Sequence, residues 1–300
     1  MRVAFSDFYG GFEGDLQWNP ITAYFVNSPK YEIVALHQDP ELIVCSTWGN
    51  KHTKYPDTHK IMWTAENLVK GQPWSIPPYT FWDDVDWTIS SNHRDVIFNL
   101  PTNVKHYYLP YAGVHHNIDR LKGLRSKYFS KPKTKFCCFV STAQGAAEGY
   151  KLRYNFFKYL NSGYKHVDSA GKTCNNVGYF APRGDDFFEW ISDYKFMICF
   201  ENSLGAGYLT EKIFAPYTSG TIPIYWGDQS NFDLLRREAC IEYTTPNETL
   251  ARIMLLDQNP VVYENFRKQE LYQPIQDRED ILSQKYLTKI YDEIMTEIKS

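Results

Sequence analysis

The segment 199–228 holds most of the residues whose types and spacing could do chemistry. An apolar stretch ends in Glu201-Asn202, a loop with two glycines follows, and Thr210-Glu211-Lys212 precedes the next apolar stretch. This pattern predicts a strand, a loop, a helix capped by Thr210 and a second strand. Free amides at a helix start beside a lysine are typical of a phosphate site, although Thr-Glu-Lys is also an ordinary helix start.

Arg153 is a second candidate contact for an anion, because it follows the small-residue segment 140–149. A strand that leads through such a loop into a helix with an early arginine is typical of an anion cradle. A surface arginine beside a flexible loop explains the same residues equally well. Asn176 and Tyr179 could contact a base or a ribose, but their surroundings favour a turn.

Glu66 is the candidate general base of the first half. It follows directly after Ile61-Met-Trp-Thr-Ala65, which reads as a strand. A carboxylate at the carboxyl end of a strand faces the crevice where open α/β sheets bind ligands. With Trp63 nearby, the pKa of Glu66 could be raised enough for proton abstraction, whereas a helix cap or a surface acid is the ordinary alternative.

Two other patterns could suggest a metal site but are better explained without one. Asp84-Val-Asp86 has the D-x-D spacing that some transferases use to chelate a metal, but alternation into a strand accounts for it. His115-His116 lies in a polar segment and lacks companion ligands at zinc spacing. We therefore expect no metal site.

Composition limits the class of protein. The chain has 300 residues, 43% of them hydrophobic, which suits two domains with substantial cores. A net charge of −3 argues against a nucleic-acid binder. The six cysteines form no C-x-x-C pair, which indicates a reducing compartment. Without a signal peptide or a run of membrane-spanning length, we expect a cytoplasmic protein with no transmembrane segment, and peripheral attachment to a membrane stays open.

Alternating short strands and helices indicate the α/β class. We expect an N-terminal domain over 1–130, a C-terminal domain over 131–275 and a helix over 276–300 that packs on the body. The polar and basic segment from Tyr111 to Lys135 is the predicted linker. Predicted strands cover 2–5, 32–36, 42–46, 60–64, 87–90, 105–109, 135–140, 165–168, 195–200 and 221–226.

Taken together, the motifs resemble the α1,3/4-fucosyltransferases of glycosyltransferase family 10, particularly the short bacterial type. The resemblance is carried by Phe200-Glu-Asn-Ser203, Gly207-Tyr-Leu-Thr-Glu-Lys212 and Gly220-Thr-Ile-Pro-Ile-Tyr-Trp-Gly227. It implies a GT-B fold, in which two Rossmann-like domains face each other across a cleft. It also implies GDP-β-L-fucose as donor in the second domain and an oligosaccharide acceptor mostly at the first.

The resemblance assigns roles to individual residues. Glu66 matches the catalytic base, and Arg153 and Lys212 match cations that bind the diphosphate. Asn202, Tyr208 and Glu211 match donor contacts, while Asn176, Tyr179 and Glu201 are further candidates for nucleotide contacts. No cofactor is expected, since transfer in this family inverts configuration without a chelated metal.

We therefore expect an inverting enzyme that moves L-fucose to a hydroxyl of N-acetylglucosamine or glucose in a glycan, with α1,3 linkage favoured. A GT-B transferase that uses another GDP-sugar is one alternative. A non-catalytic binder of nucleotide sugars or glycans is the other.

Overall fold

The computed structural model describes residues 1–9, 16, 19–75, 82–111, 118–142, 147–273 and 280–300. The chain divides into two compact units. Unit 1 comprises Met1–Asn117, Gly205–Tyr208 and Asp277–Ser300, and unit 2 comprises Ile118–Leu204 and Leu209–Gln276. Each unit has its own parallel sheet.

The sheet of unit 1 has six parallel strands in the order β2-β1-β3-β4-β5-β6. These are β1 (Arg2–Ser6), β2 (Glu32–Ile33), β3 (Leu42–Cys45), β4 (His59–Thr64), β5 (Trp87–Ser90) and β6 (Lys105–Tyr108). The central strands are almost continuously buried because both faces of a parallel sheet are covered. In register, Ser6 lies opposite Cys45, and Cys45 opposite Met62.

Two helices contribute to the core of unit 1. Helix α1 (Pro20–Val26) begins after Asn19, whose side chain accepts a hydrogen bond from the Ile21 amide at 3.0 Å. The C-terminal helix (Gln284–Lys299) buries apolar residues at helical spacing and joins the same core, and its Tyr291 hydroxyl donates to the Ile21 carbonyl at 2.9 Å. The C-terminal helix therefore packs in the core of unit 1.

The sheet of unit 2 has five parallel strands in the order β11-β10-β9-β7-β8. These are β7 (Lys135–Phe139), β8 (Val167–Ser169), β9 (Tyr194–Ile198), β10 (Ile222–Tyr225) and β11 (Ile241–Glu242). The helices of this unit are α2 (Ile118–Phe129), α3 (Glu148–Gly163), α4 (Asp185–Ile191), α5 (Phe214–Thr218), α6 (Pro246–Gln258) and α7 (Pro260–Arg267). Its core is rich in aromatic side chains, among them Phe139, Phe156, Phe196 and Phe200.

Both sheets reverse their strand order at one point, between β1 and β3 in unit 1 and between β7 and β9 in unit 2. Open α/β folds bind ligands beside the carboxyl ends of the strands at such a switch point. Residues that follow β7 and β9 are therefore the first to consider in unit 2. In unit 1 the corresponding residues follow β1 and β3, with β4 next to them.

The predicted linker over 111–135 is wrong in part, because it contains the twelve-residue helix α2 of unit 2. Leu121 and Tyr128 of this helix are buried. Seven basic residues obscured an apolar spacing that is compatible with a helix. The clustered charges had suggested a solvated connection instead.

All six cysteines carry free thiols, and five of them are buried. In the part of the chain that the structure describes, no helix combines the length and apolar character needed to cross a bilayer.

Candidate functional site

Unit 2 contains a cavity of about 300 Å³ at its switch point. Ser141 and Thr142 after β7, Cys199, Phe200 and Asn202 after β9, Tyr150 and Arg153 of α3, and Glu211 and Lys212 are among its lining residues. Four of the residues predicted to bind the donor therefore line one cavity: Arg153, Asn202, Glu211 and Lys212. The sequence separates them by up to 59 positions, and the sheet brings them together.

Arg153 lies in the second turn of α3 and is only 6% exposed. One terminal nitrogen donates to Asn202 Oδ1 at 2.8 Å, and the other to the Phe200 carbonyl at 3.4 Å. The guanidinium carbon lies 4.5 Å from the ring centre of Tyr150, within the range of a cation–π contact. These contacts with Asn202, Phe200 and Tyr150 orient the guanidinium, and none of the three groups is charged.

A close backbone contact fixes the start of α3 against the loop after β9. The Gly149 amide donates to the Asn202 carbonyl at 3.0 Å. A Cβ atom at position 149 would lie 2.0 Å from the Glu201 carbonyl oxygen, so only glycine fits there. This contact holds the helix of Arg153 beside the loop of Asn202.

Lys212 provides the second cation of the cavity. Its ammonium lies 3.0 Å from Thr210 Oγ1, 3.3 Å from Glu211 Oε1 and 3.6 Å from Glu201 Oε2, and its side chain is 20% exposed. Burial lowers the pKa of Lys212, but the carboxylates of Glu211 and Glu201 outweigh it, so the pKa is above its ordinary value. Lys212 is therefore an ammonium at neutral pH.

The predicted helix capped by Thr210 is wrong. Helix α5 begins at Phe214 and has five residues, and residues 211–213 form a turn. Thr210 instead gives its amide to Glu201 Oε1 at 3.0 Å and its hydroxyl to Glu201 Oε2 at 2.6 Å. Since these bonds replace the cap, the expected anion site at a helix tip led by Thr210 is absent, and the cavity draws positive charge from Arg153 and Lys212.

Three residues that were candidates for nucleotide contacts have partners within the protein. Glu201 is fully buried. The side-chain amide of Asn176 accepts from the Ser169 amide at 2.7 Å and donates to the Val167 carbonyl at 2.9 Å. Tyr179 is largely exposed, and its hydroxyl accepts from Trp190. Asn176 and Tyr179 lie outside the described lining of the cavity, and their role towards a nucleotide stays a prediction.

Tyr208 belongs to unit 1, unlike the four cavity residues. The chain leaves unit 2 for the four residues 205–208, where the Ala206 carbonyl accepts from the His93 amide at 2.9 Å. The Gly207 carbonyl accepts from the Tyr108 hydroxyl at 3.0 Å. Sequence reasoning missed this docking, although the two glycines of the segment indicated a close backbone approach.

Glu66 lies two residues beyond the end of β4 at Thr64, in unit 1. Its amide donates to Thr64 Oγ1 at 3.1 Å, and this hydroxyl lies 3.2 Å from Thr47 Oγ1, which follows β3. A hydrogen-bonded pair of buried hydroxyls thus fixes the backbone of Glu66. The side chain is partly exposed, at the carboxyl edge that the sequence predicted.

Asp7 and His52 form a buried pair at the switch point of unit 1 that sequence reasoning did not find. Asp7 has φ 61, and its Oδ2 lies 2.7 Å from His52 Nδ1 and accepts from the His52 amide at 3.0 Å. Burial raises the pKa of Asp7, but the hydrogen bonds from His52 and neighbouring groups outweigh it and lower the pKa to about 2. The carboxylate is therefore ionised throughout the physiological range.

The D-x-D pattern has a structural role, but the expected alternation into a strand is wrong, because Asp84 ends a short 3₁₀ helix (Trp82–Asp84) and β5 begins only at Trp87. Asp84 Oδ1 lies 3.3 Å from the buried ammonium of Lys60, and Asp86 Oδ2 accepts from the Lys60 amide at 2.9 Å. Lys60 lies near the start of β4, whereas Glu66 lies beyond its end. Among the described residues, no three His, Cys, Asp or Glu side chains are grouped as metal ligands. His115-His116 lies outside these residues.

Two curated fucosyltransferases are similar in sequence to this chain. The alpha-(1,3)-fucosyltransferase FucT of Helicobacter pylori is 27% identical over 267 residues, which are 77% of this chain and 51% of that protein. Human GDP-fucose protein O-fucosyltransferase 3 is 32% identical over 216 residues, covering 66% of this chain and 44% of that protein. The chain thus spans about half the length of these curated relatives.

A solved structure identifies the fold of the chain, and a family model identifies its family. The crystal structure of an alpha1,3-fucosyltransferase with GDP matches with a TM-score of 0.71 at 22% identity, covering 100% of this chain and 90% of that one. This likeness confirms the predicted GT-B fold with its two Rossmann-like α/β units. The family model described as glycosyltransferase family 10 (fucosyltransferase) C-term matches residues 130–291. This chain belongs to glycosyltransferase family 10.

Proposed function

We propose that the chain is an inverting fucosyltransferase that moves L-fucose from GDP-β-L-fucose to a hydroxyl of N-acetylglucosamine or glucose in a glycan, with α1,3 linkage favoured. The observation that carries the proposal is the gathering of Arg153, Asn202, Glu211 and Lys212 around one cavity of unit 2. Two cations beside carboxylate and amide groups suit a diphosphate that is linked to a hydroxylated sugar. Solved neighbours that were crystallised with GDP and with GDP-fucose support the choice of donor.

The two cations act on the leaving group. When the bond between the anomeric carbon and the β-phosphate oxygen breaks, its electron pair stays on that oxygen. Arg153 and Lys212 stabilise the growing negative charge, and we propose that they do so without a divalent metal. Glu211, whose side chain is 43% exposed, accepts hydrogen bonds from hydroxyls of the donor and so fixes the reacting carbon.

Glu66 acts on the acceptor. Its carboxylate takes the proton of the attacking hydroxyl while the hydroxyl oxygen bonds to the anomeric carbon from the face opposite GDP. The sugar passes through an oxocarbenium-like state, as in other glycosyl transfers. The position of Glu66 after β4 and the anchored backbone of its loop support this role.

The test is a transfer assay with GDP-fucose and three acceptors, N-acetyllactosamine, lactose and lacto-N-biose, with and without a chelator. We expect transfer to at least one acceptor at an unchanged rate in chelator. Absence of both transfer and GDP-fucose hydrolysis, with GDP still bound, would favour the non-catalytic binder. Faster turnover of GDP-mannose than of GDP-fucose would favour a transferase for another GDP-sugar.

A further inference from the structure

Glu201 is an acidic residue of the segment 199–228 to which the proposed chemistry assigns no role. It follows β9, and its amide donates to the Trp226 carbonyl at 2.8 Å, which continues the pairing of β9 with β10. The side chain is fully buried. A buried carboxylate is costly unless several donors compensate it, so its partners reveal its role.

Both carboxylate oxygens of Glu201 are occupied by groups of unit 2. Oε1 accepts from the Thr210 amide at 3.0 Å and from the Tyr225 hydroxyl at 3.3 Å. Oε2 accepts from the Thr210 hydroxyl at 2.6 Å and lies 3.6 Å from the Lys212 ammonium. Burial raises the pKa of Glu201 above its ordinary value, although Lys212 and Thr210 act in the opposite direction.

These bonds form a relay that ends at the cavity. The Thr210 hydroxyl donates to Glu201 and accepts from the Lys212 ammonium at 3.0 Å. Because Thr210 is held by two bonds to one carboxylate, its hydroxyl oxygen has little freedom to move. The ammonium is therefore placed by an acceptor whose own position Glu201 determines.

Tyr225 and Asn231 also hold Glu201 in place through hydrogen bonds. The Asn231 amide donates to the Tyr225 hydroxyl at 2.9 Å, and this hydroxyl donates to Glu201. Both Asn231 and Tyr225 are fully buried. A chain of hydrogen bonds therefore connects Tyr225, the last residue of β10, through Glu201 and Thr210 to the Lys212 ammonium.

We propose that Glu201 is a positioning residue that acts through Thr210 to hold the Lys212 ammonium where a diphosphate binds. It is not a nucleotide contact, since its carboxylate is buried and already occupied. The assignment rests on the proposed function, because it gives Lys212 a diphosphate to bind. A purely structural role would instead affect every ligand of the unit equally.

The test compares GDP with guanosine, which shares the base and ribose but lacks the diphosphate. GDP affinity is measured by calorimetry and guanosine affinity by NMR titration, for the wild type, Glu201→Gln, Lys212→Ala and the double variant. We expect Glu201→Gln to weaken GDP binding about tenfold or more, with guanosine affinity within about twofold. The double variant should bind GDP no more than about threefold weaker than Lys212→Ala, because both changes remove one interaction. The exposed Glu238→Gln serves as the matched control.

The relay itself is tested at Thr210. Thr210→Val should reproduce the loss of GDP affinity, and Thr210→Ser, which keeps the hydroxyl, should restore it to within about threefold of the wild type. This pair decides the matter if Glu201→Gln does not fold.

Losses from Glu201→Gln and Lys212→Ala that multiply in the double variant would overturn the assignment. A parallel loss of guanosine affinity, or equal GDP affinity in the two Thr210 variants, would also overturn it. A wild-type chain that does not bind GDP would overturn the proposed function and this assignment together. GDP binding that Glu201→Gln leaves unchanged would overturn the assignment alone.

Discussion

Replacing Arg153 with lysine should weaken GDP binding although a positive charge remains. The guanidinium reaches Asn202 Oδ1 at 2.8 Å and the Phe200 carbonyl at 3.4 Å while it lies over the ring of Tyr150. A lysine ammonium is a point donor on a flexible stem, so it cannot reproduce this planar fork and also present a second nitrogen to a phosphate. The charge would then be free to move away from the ligand.

The size of the effect follows from the bonds that are lost. Loss of one hydrogen bond between charged groups costs about 1.5–3 kcal/mol, which corresponds to a GDP dissociation constant raised roughly 10–150-fold. A buried acceptor left without its donor costs about 1–3 kcal/mol of folding stability. Calorimetric titration with GDP and urea unfolding of Arg153→Lys measure the two effects separately.

Lys158 provides the matched control for Arg153, because it is an exposed cation on the same helix. Lys158→Ala should change GDP affinity by less than about twofold, as expected for a solvated charge. An Arg153→Lys variant that binds GDP as tightly as the wild type would refute the role given to the fork. Equal losses from both variants would mean that overall charge, rather than geometry, attracts the nucleotide.

Three further predictions concern unit 1. Glu66→Gln should lower turnover by about 10²–10⁴-fold and leave GDP affinity unchanged, because it removes only the base. Steady-state kinetics and a GDP titration measure the two quantities. Unchanged turnover would mean that the base is misassigned. Gly205→Ala would place a Cβ atom 2.6 Å from Asn67 Oδ1, so it should lower the free energy of unfolding by about 1–3 kcal/mol, and equal urea midpoints would contradict the close approach. The pKa of Asp7 is lowered from 3.8 to about 2, so its stabilisation of about 2 kcal/mol is complete above the unfolded-state pKa and is lost as the pH falls towards 2. In urea unfolding between pH 5 and 2, the free energy of unfolding of Asp7→Asn should therefore fall less with decreasing pH than that of the wild type. An equal fall in both proteins would contradict the stabilising role of the pair with His52.

The strands and the residues that end them were largely predictable from local pattern. The strand predicted over 87–90 matches the structure, and that over 60–64 begins one residue later than in the structure. Buried parallel strands appear in a sequence as short apolar runs, and the polar residue after each run marks the carboxyl edge. This is why Glu66 and Asn202 could be placed beyond the carboxyl ends of their strands.

The capping of Thr210 could not be predicted locally. A threonine before Glu-Lys normally caps a helix through its own hydroxyl. In this fold the carboxylate of Glu201, nine residues earlier, takes both the amide and the hydroxyl of Thr210. The Glu201 amide donates to the Trp226 carbonyl beyond β10, so the acceptor that competes for Thr210 is held by a tertiary contact.

Contacts between distant segments were missed for the same reason. Asp7 meets His52 across 45 positions, and the carbonyl of Ala206 meets the amide of His93 across more than a hundred. Nothing near these residues in sequence indicates their partners. The helix α2 was a different case, because its local signal was present and basic side chains obscured it.

The central claim is that the cavity of unit 2 holds a diphosphate between two side-chain cations. A crystal structure of the chain with GDP tests it most directly. We predict diphosphate oxygens about 3 Å from both the guanidinium of Arg153 and the ammonium of Lys212. Phosphates bound away from these two side chains, or bridged to the protein by a metal ion, would contradict the claim.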